Sequence, residues 1–136
     1  MKRVTYVASA TALLSIVLGS WGGSAWAGAT CKGLAATITG TDTGETLSGT
    51  EGNDVIVGRG GDDVIDGKGG HDVICAGAGN DVVSGRAGSD RIYGESGNDT
   101  LTGHVGEDIL VGNGGDDQLF GGSGGDTLTG SADNDE

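Results

Sequence analysis

The chain has 136 residues, of which 31 are glycine, none is proline and 35% are hydrophobic. Twenty acidic against seven basic side chains give a net charge of -13, which excludes nucleic acid as a partner because the basic footprint is missing. The same composition excludes a conventional globular core. Its apolar surface is too sparse to offset chain entropy unless a repeat and a bound cation supply the missing order.

In chain order, Lys2 and Arg3 precede an apolar run from Val4 to Leu18, followed by Ser24-Ala25-Trp26-Ala27. A charged start, an apolar stretch and an A-x-A site predict a signal peptide over residues 1–27, cleaved after Ala27. The run is shorter than the roughly 20 residues of a membrane span, and no second candidate follows, so no transmembrane anchor is expected afterwards. Gly28-Ala29-Thr30 before Cys31 is not a lipid-attachment box. The expected product is a soluble, secreted, extracellular protein, with Tyr93 and Phe120 as its remaining aromatic residues.

Residues 28–48 read as an N-terminal cap with one degenerate repeat. Gly40 to Ser48 places Glu45 and Leu47 where later units carry aspartate and an aliphatic residue, and Ile38 falls in the same aliphatic register. A cap is needed because the end of a solenoid exposes strand edges and core.

From residue 49 to residue 129 the chain is strictly periodic: GTEGNDVIV, GRGGDDVID, GKGGHDVIC, AGAGNDVVS, GRAGSDRIY, GESGNDTLT, GHVGEDILV, GNGGDDQLF, GGSGGDTLT. Glycine holds the fourth place throughout and the first place everywhere except Ala76. The sixth place is always aspartate: Asp54, Asp63, Asp72, Asp81, Asp90, Asp99, Asp108, Asp117 and Asp126. The eighth place is always aliphatic. Such registers identify a repeat protein. Each unit is expected to supply a turn of about six residues and a strand of about three, with first- and fourth-place glycines taking positive φ.

These units resemble the RTX-type calcium-binding nonapeptide (hemolysin-type) repeat, G-G-x-G-x-D-x-U-x. The resemblance implies an all-β fold, a right-handed parallel β-roll in which two units complete one coil, and calcium as the bound ion. Turns eighteen residues apart would lie side by side. One edge would then carry Asp54, Asp72, Asp90, Asp108 and Asp126, and the other Asp63, Asp81, Asp99 and Asp117, with Asp135 keeping the register. Calcium takes six to eight oxygens, more than one turn supplies, so each ion is expected between neighbouring turns. Aspartates also simply make turns, although that role would tolerate Asn or Ser at the sixth place. Without metal, such carboxylate rows repel, which predicts that calcium binding and folding are one event. His71 and Gly125 break the polar fifth place and Ala76 the first, so weaker sites are expected there.

Strand alternation sorts the outward residues onto two faces. Val55, Val57, Val73, Cys75, Arg91, Tyr93, Ile109, Val111, Thr127 and Thr129 share the more apolar one. Val64, Asp66, Val82, Ser84, Thr100, Thr102, Gln118 and Phe120 share the other. An exported chain with two cysteines favours pairing them, so a structural disulfide Cys31–Cys75 is expected to pin residues 29–37 across Val55, Val57 and Val73. Unpaired or intermolecularly paired thiols are the alternative. Tyr93, Ile109 and Val111 are expected to stay open as a contact surface, and residues 130–136 to form a partial repeat and frayed acidic tail.

No enzyme is predicted. His71 and His104 occupy different turn places, and no Cys, Ser and His grouping suggests a nucleophile. RTX rolls often belong to toxins, proteases and lipases with a C-terminal export signal. Here an N-terminal signal and no catalytic domain leave an extracellular structural or interaction module, its protein or glycan partner unspecified. The alternative is a surface-binding solenoid for polysaccharide or ice, with calcium only structural.

Overall fold

A computed structural model of the chain describes residues 28–131 and Asp135. The predicted signal segment, residues 1–27, lies outside the described residues, which contain no helix long and apolar enough to cross a membrane.

Aliphatic eighth places flanked by β-branched and polar residues give one strand per unit. These are β3 (Ile38–Thr39), β4 (Thr46–Ser48), β5 (Val55–Gly60), β6 (Val64–Asp66), β7 (Val73–Ala78), β8 (Val82–Ala87), β9 (Arg91–Ser96), β10 (Thr100–Val105), β11 (Ile109–Gly114), β12 (Gln118–Ser123) and β13 (Thr127–Ser131), preceded by β1 (Thr30–Cys31) and β2 (Leu34–Ala35). They alternate between two parallel sheets, ordered β12-β10-β8-β6-β4 and β13-β11-β9-β7-β5-β3. Partners such as Leu101 and Leu119 lie one coil apart. The fold is an all-β parallel solenoid of about five turns, two units per coil.

Most strands are six residues long rather than three. Pairing runs through the first three places of the following unit, as in Arg86 opposite His104 and Val105 opposite Ala87. The chain turns its corner inside this stretch, at the second place. Arg59, Lys68, Arg86, Glu95, His104 and Asn113 all have φ between 74° and 84° there, a conformation costing an L residue roughly 1–2 kcal/mol.

Eighth-place side chains from Ile38 to Leu119 fill the narrow space between the sheets, joined by Ala76. Ile56, Ile74, Ile92, Leu101 and Leu110 are fully buried. Because the core is one residue wide, each coil must be completed by its neighbours.

A second apolar cluster lies outside the six-stranded sheet. There β1 and β2 form an antiparallel hairpin, and Cys31 packs on Val57, Val73 and Cys75 with Ala29, Ala36, Val55 and Tyr93 around it. Cys31 and Cys75 are disulfide-bonded across a separation of 44 residues, which resolves the alternatives for the two thiols. Tyr93 was expected to be open, but Lys32 lies 4.4 Å over its ring and pairs with Glu95 Oε1 at 3.1 Å. The cap therefore reaches one strand further than expected.

Closing a loop of this length contributes roughly 4 kcal/mol in the chain-entropy view. Replacing both Cys31 and Cys75 by alanine is expected to lower the unfolding free energy of the calcium-loaded chain by about that amount. Guanidinium unfolding at fixed calcium measures it, and an unchanged midpoint would mean that packing alone holds the hairpin.

Candidate metal centre

The sixth-place aspartates stand where each turn enters its strand, and the parallel register stacks them in two rows. On one edge the Asp54 N–H donates to Asp72 Oδ1 at 2.9 Å, Asp72 to Asp90 at 2.8 Å, Asp90 to Asp108 at 2.8 Å and Asp108 to Asp126 at 3.0 Å. On the other edge Asp63 donates to Asp81 at 2.8 Å, Asp81 to Asp99 at 2.8 Å and Asp99 to Asp117 at 2.9 Å. Asp117 donates to Asp135 at 3.1 Å. Both expected rows are present, and Asp135, assigned to the frayed tail, extends the second.

The fifth place builds a parallel pair of rows in the opposite sense. Asn53 Oδ1 accepts the His71 N–H, His71 Nδ1 accepts the Ser89 N–H, and Ser89 Oγ accepts the Glu107 N–H. Asp62, Asn80 and Asn98 do the same on the other edge. His71 is thus a working member of its row.

These bonds use only one oxygen of each aspartate. Among the described residues, Oδ2 of Asp63, Asp72, Asp81, Asp90, Asp99, Asp108 and Asp117 is buried without a hydrogen-bond partner. Burial, with the neighbouring carboxylates adding to it, pushes Asp63 up to about 6 and Asp72 and Asp99 to about 7. Burial also raises Asp81, Asp90 and Asp108. Several desolvated, unpaired carboxylate oxygens in a row are a charge problem the protein donors do not solve.

The first-place glycines occupy the space beside these oxygens. A methyl on Gly67 would lie 2.6 Å from Asp72 Oδ2 and 2.9 Å from the Gly85 carbonyl oxygen of the next coil. On Gly58 it would lie 2.7 Å from Asp63 Oδ2, and on Gly103 it would overlap Asp108 Oδ2. None of these three has positive φ, whereas fourth-place glycines such as Gly88 (φ 130°) do. The expectation of positive φ at both places is therefore corrected. The first place is glycine because carboxylate and carbonyl oxygens crowd it, the fourth because of its backbone conformation. At the exception, Ala76 turns its methyl into the core, and Asp81 keeps both of its row bonds.

No three His, Cys, Asp or Glu side chains among the described residues close on one point. The turns of Asp63 through Asp117 instead each offer one unpaired carboxylate oxygen, with backbone carbonyls of the neighbouring coil close by, as at Gly67, the hard oxygen donors that suit a divalent cation such as calcium. A family model, the RTX calcium-binding nonapeptide repeat (4 copies), matches residues 39–74, 76–110 and 102–136. The chain belongs to the RTX repeat family. No curated protein and no solved structure matches the chain. RTX nonapeptide repeats bind calcium.

Two surface contacts were not foreseen. Ser84 Oγ lies 2.7 Å from His104 Nε2, and Arg86 forms two bonds to Asp66. Both join a second-place side chain to a ninth-place side chain one coil earlier. The serine–histidine pair is therefore a register contact of the roll that recurs with different residues.

Gly103→Ala is expected to push a methyl against Asp108 Oδ2 and weaken calcium binding about ten-fold at that turn. Calorimetric titration checks this, and an unaltered isotherm would remove the steric role of the first place. The raised aspartates also set a pH dependence. In the calcium-free roll each holds its proton more tightly than in the unfolded chain, where the ordinary value is 3.8. Their stabilisation is complete below that value and lost as pH rises through about 6 to 7. In chelator, β-type circular dichroism is expected to be strongest near pH ~4 and to decline towards neutrality. Calcium affinity moves the opposite way, because binding releases protons.

Proposed function

We propose that this chain is a secreted, extracellular structural or interaction module whose roll folds when calcium enters between turns eighteen residues apart. The observation that carries this reading is the set of buried, unpartnered Oδ2 atoms. They destabilise the roll without a cation and stabilise it with one. We assign the calcium-binding carboxylates to the sixth-place aspartates whose Oδ2 is left without a partner, Asp63 through Asp117, with first-place carbonyls completing the donor set. The disulfide supports an oxidising, extracellular setting. We read the role as non-catalytic because the RTX repeat roll is a structural calcium-binding fold.

The reading as a surface binder for polysaccharide or ice finds less support. Thr100 and Thr102 belong to β10 whereas Thr127 and Thr129 belong to β13, on opposite sheets. Tyr93 and Phe120 are likewise divided, so neither face has a continuous rank of threonines or aromatics.

The test is far-UV circular dichroism at neutral pH, starting in chelator and titrating in calcium. A cooperative gain of β signal between roughly 10⁻⁴ and 10⁻³ M calcium, the range of extracellular modules, is the expected result. A chain fully folded in chelator at that pH would overturn the coupling and leave a constitutive solenoid.

A further inference from the structure

The first coil departs from the others in a way that calcium-coupled folding alone does not require. At Asp54, Oδ2 accepts the Thr50 N–H at 2.7 Å and the Thr50 hydroxyl at 2.9 Å. Its Oδ1 accepts the Thr37 hydroxyl at 3.2 Å. At the equivalent place on the other edge, Glu45 Oε1 accepts the Thr41 N–H. In the first turn of each row, the oxygen left orphaned in later units is thus satisfied by the protein itself.

The reason lies at the second place. Thr41 and Thr50 occupy it in these two turns, and neither has positive φ, unlike Arg59, Lys68, Arg86, Glu95, His104 and Asn113. Threonine is β-branched and resists that conformation, so its N–H stays bonded to the carboxylate. Glycine or an unbranched residue turns the corner and leaves Oδ2 without a donor from that place.

The second apolar cluster and the disulfide join the cap and β5 to Val73 and Cys75 of β7, the strand that pairs with β5. We propose that residues 29–57 form a calcium-independent seed, and that calcium-dependent coils add to it towards the C-terminus. This rests on the calcium-coupled reading above. In it Asp54 caps its row and is not a calcium ligand, while the metal sites begin at Asp63 and Asp72.

Hydrogen exchange of the disulfide-intact chain, in chelator and in calcium, tests this directly. The expected result in chelator is exchange at least ten-fold slower in residues 37–57 than in residues 82–131, with protection throughout once calcium is added. Uniformly fast exchange in chelator with protection gained in calcium would overturn the seed while leaving the coupling intact. Uniformly slow exchange would overturn both. Native mass spectrometry then counts bound calcium in two variants. Asp54→Ala is expected to keep the wild-type number with a several-fold higher calcium midpoint, and Asp72→Ala to bind fewer ions. Equal losses would make Asp54 an ordinary ligand. In a third variant, Thr50→Gly, the second place is free to take positive φ, as Gly77 and Gly122 do. Loss of chelator protection at residues 37–57 is expected there, and retained protection would overturn the role given to Thr50.

Discussion

Everything in this molecule depends on the desolvation of one row of carboxylates along each edge. Neighbouring coils stack about 4.8 Å apart, so each aspartate sees another above and below it. From Asp63 to Asp117 the preceding coil offers each a single N–H, as in Asp72 and Asp81, and the second oxygen is buried without a protein donor. The rest of the sequence accommodates that arrangement. Glycine at the first place leaves room for the oxygens, glycine at the fourth lets the backbone turn, and the fifth-place side chains tie the turns together from the opposite direction.

The hydrophobic contribution is correspondingly thin. A single file of aliphatic residues separates the sheets, so no coil can bury its own apolar side chain alone. Cooperativity between coils is built in, and the beginning of the stack needs help. The cap hairpin supplies it by burying a second, external set of apolar residues around a disulfide. Its charged margin, Lys32 over Tyr93 and beside Glu95, adds little energy at the surface but marks where the covered strip ends.

Much of this was legible in the sequence. The strict nine-residue period fixes the eighth-place core file, and the two units per coil implied by the resemblance to RTX repeats sort the aspartates into two rows and put Cys75 on the more apolar face. What counting missed depends on backbone rotation. Strand length was misread because the corner at Arg59 or His104 sits inside a paired stretch. First-place glycines such as Gly67 were credited with conformational freedom, whereas their role is set by oxygens that converge from residues five and eighteen positions away. The different behaviour of Asp54 could have been signalled by Thr50 alone, since only that unit of the nine carries a β-branched residue at its second place.

The mismatch between the nine-residue unit and the eighteen-residue coil divides the chain's freedom to change. Any whole number of units can be added or lost with the core file and the carboxylate rows still in step. An odd number, however, moves every downstream outward side chain to the opposite sheet. Tandem duplication can therefore lengthen the scaffold in one step size and exchange its two surfaces in another. What the roll displays and what holds it together are free to evolve separately.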